Sequence, residues 1–403
     1  MPFVRCRLAV FSVLLAVTAC GGGGSPDAGL DAGAPEGDAG SATDAGLPGT
    51  DAGLPVPPVV IERSLFWNQP AILDDPGVVS FARLMALTSD DGHGGRVLEQ
   101  WFHRFATTAH SERALPSQFI DGVIATQGAD ASQWDLSALP FKVTGLHNRI
   151  DLADLSAGGH CGEFRASVSS TDPTLQPFHA LFLFRQPLGD GDVVAGRVTC
   201  EGTARRWAAL SALEGDALLD GARAAFTASL TRSRFLMIET VEFTLSPWEW
   251  RQWLPEADGR LENPPLFQQL DVARLNTPGA LRDDFLGWVR DNAAALEARA
   301  LLLPERFRPP STRITQGVPR EPLRLDPALD TARPTLRQQL ELVGCAACHT
   351  ADAEFVQTRT DRTVSPFYEK ELRARATHLE RLARGEAPVA PFGPLQASPV
   401  LPP

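Results

Sequence analysis

The spacing of apolar residues changes period several times along this chain, and the changes mark its elements. Val78 to Leu87 and Arg96 to Thr107 carry the three-to-four-residue repeat of amphipathic helices, and in the second Val97, Trp101 and Phe105 share one face. From Phe141 the repeat shortens to two. Phe141 to Leu152, Glu163 to Ser169, His179 to Gln186 and Val193 to Cys200 read as strands, with Gly, Asp and Pro at the turns between them. Helical spacing returns over Ala204 to Thr231, with interruptions expected near Gly215 and Gly221, and Ser233 to Leu245 reads as a further strand. A long helix is predicted from Ala280 to Leu302, followed by a proline-broken stretch over 304–334. Leu336, Leu340 and Val343 form the apolar edge of a short helix starting at Pro334, a position where the absent N–H of proline is tolerated. A last helix spans Pro366 to Arg384, striped by Tyr368, Leu372, Ala376, Leu379 and Ala383. Blocks of helix around a run of strands predict the α+β class. The expected architecture is a main domain of mixed helix and antiparallel sheet over 59–330, with a small, mostly helical segment over 331–403.

Two stretches before residue 59 have neither period. In residues 1–20, Arg5 and Arg7 precede a short apolar run, Leu8 to Val17, and small residues lead to Cys20, which is the layout of an export signal. The run is too short to cross a bilayer. Val17-Thr18-Ala19-Cys20 resembles the lipobox of bacterial lipoproteins, which implies cleavage before a lipidated Cys20 and stable membrane anchoring through it. Gly21 in place of aspartate after that cysteine favours the outer membrane as destination. Residues 21–58 hold five Asp-Ala-Gly triplets and a proline-rich end, Pro55 to Pro58, with six acids and no base. No apolar face is present to offset the entropy of ordering, so this is a disordered tether. As a flexible chain it spans about 35 Å. The triplets lack the spacing of calcium-binding loops, so a solvated spacer is the expectation.

Charge narrows the partners. Of the net charge of −12, the leader contributes +2 and the tether −6, leaving −8 for residues 59–403. That balance argues against nucleic acid and against electrostatic docking to anionic lipid.

The strongest chemical motif is Cys345-Ala346-Ala347-Cys348-His349. Two cysteines two residues apart, with histidine next, fit covalent haem attachment: the sulfurs reach the two vinyl groups on one edge of the ring, and the histidine reaches the iron. Haem c is therefore the expected cofactor, with Cys345 and Cys348 as attachment points and His349 as proximal iron ligand. With Cys6 lost in the leader and Cys20 lipidated, Cys161 and Cys200 remain as a disulfide suited to an oxidising compartment. The alternatives are a Cys345–Cys348 disulfide, a redox-active pair or a zinc half-site, the last disfavoured because no second Cys or His pair lies nearby. No methionine follows the motif, and the mature chain holds only Met85 and Met237. His378 is the sole downstream histidine. It falls on the flank of its helix stripe among the spaced pairs Glu369–Arg373, Glu371–Arg375 and Glu380–Arg384, so solvent exposure is expected and a distal iron-ligand role is the weaker candidate. Gly393-Pro394-Leu395 is similar to the turn that buttresses a haem histidine in small cytochromes but comes too late in the chain for the usual order.

A second constellation lies in the strands: His147-Asn148-Arg149-Ile150-Asp151 and His160-Cys161-Gly162-Glu163-Phe164-Arg165. Alternation puts Arg149 with Asp151 on one face and Glu163 with Arg165 on one face of the next strand. The expectation is a buried, mutually satisfied network, with a catalytic or ligand role as the alternative. Pro247 to Trp253 concentrates three tryptophans, which could form a stacking shelf, a lid, a wall against a haem edge or, as favoured, simple packing. No nucleophile elbow, zinc-protease, phosphate-loop or dinucleotide signature occurs, so no catalytic residue is assigned.

The runs Phe141 to Leu152, Cys161 to Arg165, Pro247-Trp248-Glu249, Asn276-Thr277-Pro278 and Cys345 to His349 together resemble a group of uncharacterised secreted bacterial lipoproteins that end in a cytochrome c-like Cys-x-x-Cys-His segment. The likeness covers most of residues 60–370 and implies compartment and boundaries, not a reaction. Members of the group often carry a further histidine after the motif, and Gln357 stands at that position here. The expected role is a lipid-anchored envelope protein with one c-type haem, for electron transfer or redox and small-ligand chemistry, its redox partner protein unidentified. The rival is a non-catalytic surface binding or structural lipoprotein in which the Cys-x-x-Cys pair is a disulfide. A hydrolase would rest on the Arg, Asp and Glu strands alone.

Overall fold

The computed structural model describes residues 55–106, 114–155, 157–175, 178–242, 248–256, 258–266, 269–297, 303–309, 312–314, 321–342, 358–364 and 366–386. Among them an antiparallel sheet runs in the order β1 (Phe66–Trp67), β2 (Phe141–Arg149), β3 (Glu163–Ser170), β4 (Phe178–Arg185), β7 (Phe235–Glu242), β8 (Trp248–Pro255) and β10 (Thr312–Ile314). The short β9 (Leu261–Glu262) pairs with the end of β8, and β5 (Val193–Val194) with β6 (Arg197–Val198) makes a separate hairpin. With the surrounding helices this is the expected α+β class.

Period-two alternation gives the sheet two unlike faces. Phe164, Ala166 and Val168 of β3 meet Phe178, Ala180, Phe182 and Phe184 of β4 on the first face, and all are buried. Helices α4 (Gly95–Arg104), α6 (Glu201–Ala209) and α7 (Gly215–Ser229) cover it. The stripe Val97, Trp101 and Phe105 points inward as its spacing demands, with Phe105 at 4.6 Å from Trp253 and Trp101 at 6.2 Å from Phe178. Trp207 of α6 stacks on Phe164, the ring centroids 5.7 Å apart and the planes 5° from parallel.

Four elements refine the sequence reading. Helix α5 (Ala114–Gln127) is absent from it, because Pro116 and Gly122 break its apolar repeat. The tryptophan run lies in an unassigned strand, β8, and its favoured packing role holds at Trp253, which enters the core. Within Ala204 to Thr231 the chain does break before Gly215, but α7 runs through Gly221, whose missing Cβ lets Leu213 and Leu210 approach. The expected 193–200 strand shortens to the β5–β6 hairpin, with Ala195 and Gly196 both at positive φ in its turn.

A second core cluster joins α9 (Ala280–Glu297) to α11 (Pro334–Leu342) through Phe285, Val289, Leu336 and Leu340. The last helix, numbered α12 below (Pro366–Ala383), belongs to the first cluster through Tyr368, Leu372, Leu379 and Leu382. The expected 331–403 segment thus contributes to both clusters. No described helix is long and apolar enough to cross a membrane.

Candidate functional site

The second face of the sheet is polar. In β2 and β3 the register sets His147 opposite Arg165 and Arg149 opposite Glu163, while Ser167 and Ser169 continue the same row. Leu183 of β4, opposite Arg165, carries the face on to Met237 of β7, with Glu239 beside it.

Charge on this face is paired at close range. Arg149 grips Asp151 with two parallel contacts, Nε to Oδ1 at 3.0 Å and Nη2 to Oδ2 at 2.9 Å. Arg165 donates from Nε to Glu163 Oε2 at 2.8 Å, and its Nη1 lies 4.0 Å from Glu239, which also accepts from Gln252 at 3.0 Å. Helix α12 completes the array from the sheet edge. Arg375 lies 3.6 Å from Asp151 Oδ2, pairs with Glu371, and sits over the Tyr368 ring at 5.1 Å. Tyr368 in turn shares a 2.7 Å hydrogen bond with His147 Nδ1, and His147 Nε2 one of 2.6 Å with Ser167 Oγ. Asn148, facing the other way, accepts from Gln186 at 2.9 Å, and Gln186 accepts from Trp207 of α6, so the polar row is tied to the apolar layer.

Burial and charge set the protonation states. Burial disfavours ionised Asp151, but Arg149 and Arg375 outweigh it and hold the carboxyl well below the usual range. Burial, with the positive field of Arg375, Arg165 and Arg149, pushes His147 well below its ordinary value. Burial lowers His179, whose Nδ1 is 2.6 Å from Ser169 Oγ, to about 4. Burial raises Glu239, with Arg165 and Gln252 opposing it, and raises Tyr368 against the pull of Arg375.

These states decide what the array can do. Ser167 beside a histidine has the outline of a nucleophile and its base, but a general base works best with a pKa near the working pH. A histidine held neutral this firmly is a poor proton acceptor. The arrangement is a rigid polar support, as expected from the paired arginines and acids.

The disulfide expectation holds: Cys161 and Cys200 are bonded, their Cα atoms 5.4 Å apart. It joins the residues just before β3 to the N-cap of α6, where Cys200 takes the left-handed conformation at φ 55°. His378 is a correction. It is 6% exposed, because α12 packs its flank toward Asp151 and buries what a lone helix would leave in solvent. Burial lowers its pKa and keeps the ring in the neutral form that can bind a metal, with Asp151 opposing. The Glu371–Arg375 pair forms as its spacing expects, with Arg375 2% exposed. Cys20, Cys345, Cys348, His349, Gln357 and Gly393 to Leu395 lie outside the described residues. Among the described residues no three His, Cys, Asp or Glu side chains converge as a metal site.

The residue that sequence reasoning missed is Tyr368, read only as part of an apolar stripe. It is the one tyrosine in the chain and lies two helical turns before Arg375, a spacing that puts both on one face. Comparison with known families, curated proteins and solved structures finds no match to this chain.

Proposed function

We propose that this chain is a cell-envelope protein, lipid-anchored through Cys20 to the outer membrane and bound to one c-type haem through Cys345, Cys348 and His349, serving electron transfer or redox and small-ligand chemistry. The observation that carries the reading is the Cys161–Cys200 bond. Of the four cysteines after Cys20 it commits two to each other and leaves Cys345 and Cys348, spaced for two thioether bonds with a histidine following. A structural disulfide also fits an exported protein, the compartment in which haem is attached to such motifs.

When bound, the haem would supply a one-electron couple or an iron centre for a small ligand. His147 is no iron ligand, because Tyr368 and Ser167 engage both of its ring nitrogens. Met85 and Met237 are packed in apolar clusters. His378, buried and held in the neutral form, is a described side chain whose chemistry would suit a distal position. The rival reading, a surface binding or structural lipoprotein, pairs Cys345 with Cys348 instead.

Expression in cells with a haem-ligation system decides between them. A Soret band that survives acid–acetone extraction, with a mass increase of one haem that vanishes in Cys345→Ser/Cys348→Ser, is the expected result. A colourless chain with no free thiol and no added mass would sink the proposal in favour of the disulfide.

A further inference from the structure

A cavity of about 260 Å³ lies beside α6, between the segment that follows β4 and the C-terminal turn of α7. Two guanidiniums line it. Arg206 is fixed in place: its Nη2 donates to Thr203 Oγ1 at 2.7 Å and its Nη1 to the Asp190 carbonyl at 3.2 Å. The nearest carboxylate, Asp192, is 3.7 Å from Arg206, wholly buried, and already accepts from the Gly189 and Thr203 amides and the Thr203 hydroxyl. Arg234 donates to the Ala228 carbonyl and has no ion pair among the described residues. Gly189 closes against Arg206, where a Cβ would meet Nη2 at 2.5 Å, so the guanidinium packs against main chain at a position with no room for a larger residue.

Two like charges fixed in one half-buried cavity repel each other unless something negative lies between them. Burial and the nearby Arg206 both push Arg234 below the ordinary arginine value. Each guanidinium has five N–H donors in a planar fork, and the contacts above use a minority of them. Leu188, Trp207 and Ala225 give the remaining wall apolar surface. We propose that this cavity binds a compact organic anion, its carboxylate or phosphate group held between Arg206 and Arg234 and its apolar body against Trp207. The volume lies just below the range of drug-sized pockets, so the ligand is a small metabolite-sized molecule. The cavity's lining includes none of the residues of the Cys345–His349 motif, so this proposal is tested independently of the haem reading.

Calorimetric titration of the mature full-length chain tests the proposal, with inorganic phosphate, acetate and benzoate as probes at constant ionic strength set by chloride. The expected result is saturable binding of phosphate or of benzoate, which distinguishes the two headgroups, with benzoate tighter than acetate where the carboxylate binds. Arg234→Gln, which keeps a donor for the Ala228 carbonyl, and Arg206→Gln should each weaken binding more than tenfold. Arg234→Lys keeps the charge and the fold while losing the fork, and should weaken binding several-fold. If no probe binds above the chloride control, or the arginine variants bind as the parent does, both guanidiniums are helix and loop braces only and the proposal is overturned. Should Arg234→Gln not fold, Arg234→Lys alone decides by the same criterion.

Discussion

The two faces of one sheet are buried by opposite physics. On the first, Phe164, Phe182 and Trp253 meet Trp101, Phe105 and Trp207, and most of the stability comes from apolar area removed from water, about 25 cal/mol per Å², with a buried ion pair, Arg251–Glu249, at its β8 side beside Phe105. The apolar term is nondirectional, so a substitution costs what its lost volume costs. On the second, His147, Arg149, Asp151, Glu163, Arg165 and Arg375 are held where ionised groups are expensive, and each is tolerated because a partner stands at hydrogen-bond or ion-pair distance. The first face therefore degrades gradually, and the second fails when one member is removed. The same β3 strand serves both, so the contrast is set by side chains alone.

Removing Asp151 is the sharpest way to break the second face. Asp151→Ala removes the acid shared by Arg149 and Arg375, each 2% exposed, leaving Glu371 as the nearby carboxylate acting on both. We expect a loss of about 3–5 kcal/mol, the cost of a buried charge without its partner. Phe182→Leu on the first face, close in volume, should cost less than about 1.5 kcal/mol. Urea unfolding of the two variants side by side measures this, and equal losses would erase the distinction between the faces.

Next in size is the staple. Cys161 and Cys200 close a loop of 39 residues, which the chain-entropy account values at about 3–4 kcal/mol. Cys161→Ala/Cys200→Ala should lower the unfolding midpoint accordingly. If reductant lowers the midpoint of this variant as much as that of the parent, the stabilisation comes from elsewhere.

Acid probes the polar face without mutation. His147 is held well below its ordinary value of 6.5, and His179 at about 4, in both cases by burial first. Unfolded histidines take up protons as pH falls below about 6.5 while these remain neutral in the folded chain, so the unfolded state binds more protons. Their contribution is complete above that pH and is lost as pH falls toward the folded value, at up to about 1.4 kcal/mol per pH unit for each ring. Unfolding free energies at pH 7, 6 and 5 should therefore decline, and His147→Gln should flatten the decline. An unchanged slope in the variant would show that His147 titrates normally.

How much of this was legible beforehand differs between the faces. Alternation in Phe141 to Leu152 and Glu163 to Ser169 located β2 and β3 and put Arg149, Glu163 and Arg165 on a shared row, because a period of two is a local property of the backbone. The disulfide followed from cysteine arithmetic. Tyr368 and Arg375 did not follow: which side of α12 meets the sheet depends on contacts more than two hundred residues apart in sequence, such as His147 to Tyr368. His378 was misjudged for the same reason, since burial on a helix flank is decided by the neighbour and not by the helix. Strand β8 was not assigned because Trp248, Trp250 and Trp253 occupy both parities of the two-residue repeat and blur it, although the packing role favoured for the run holds at Trp253.

The smallest predicted effect is the most specific to how the polar face is joined to α12. Tyr368→Phe removes one oxygen, which shares a 2.7 Å hydrogen bond with His147 Nδ1 and accepts from Arg375 Nη1 at 3.3 Å. The ring itself stays, edge-on to Phe66 at 5.6 Å and under the Arg375 guanidinium, so little packing is lost. What remains is a buried imidazole nitrogen without its partner, a defect of about 1–2 kcal/mol. Ser167→Ala, at the other ring nitrogen, should cost less because Ser167 is half-buried and water can replace its hydroxyl. The order Tyr368→Phe above Ser167→Ala places the anchor of His147 on the helix and not on the strand. The reverse order, read from thermal midpoints of the two variants, would mean that the sheet holds the histidine by itself and α12 merely covers it.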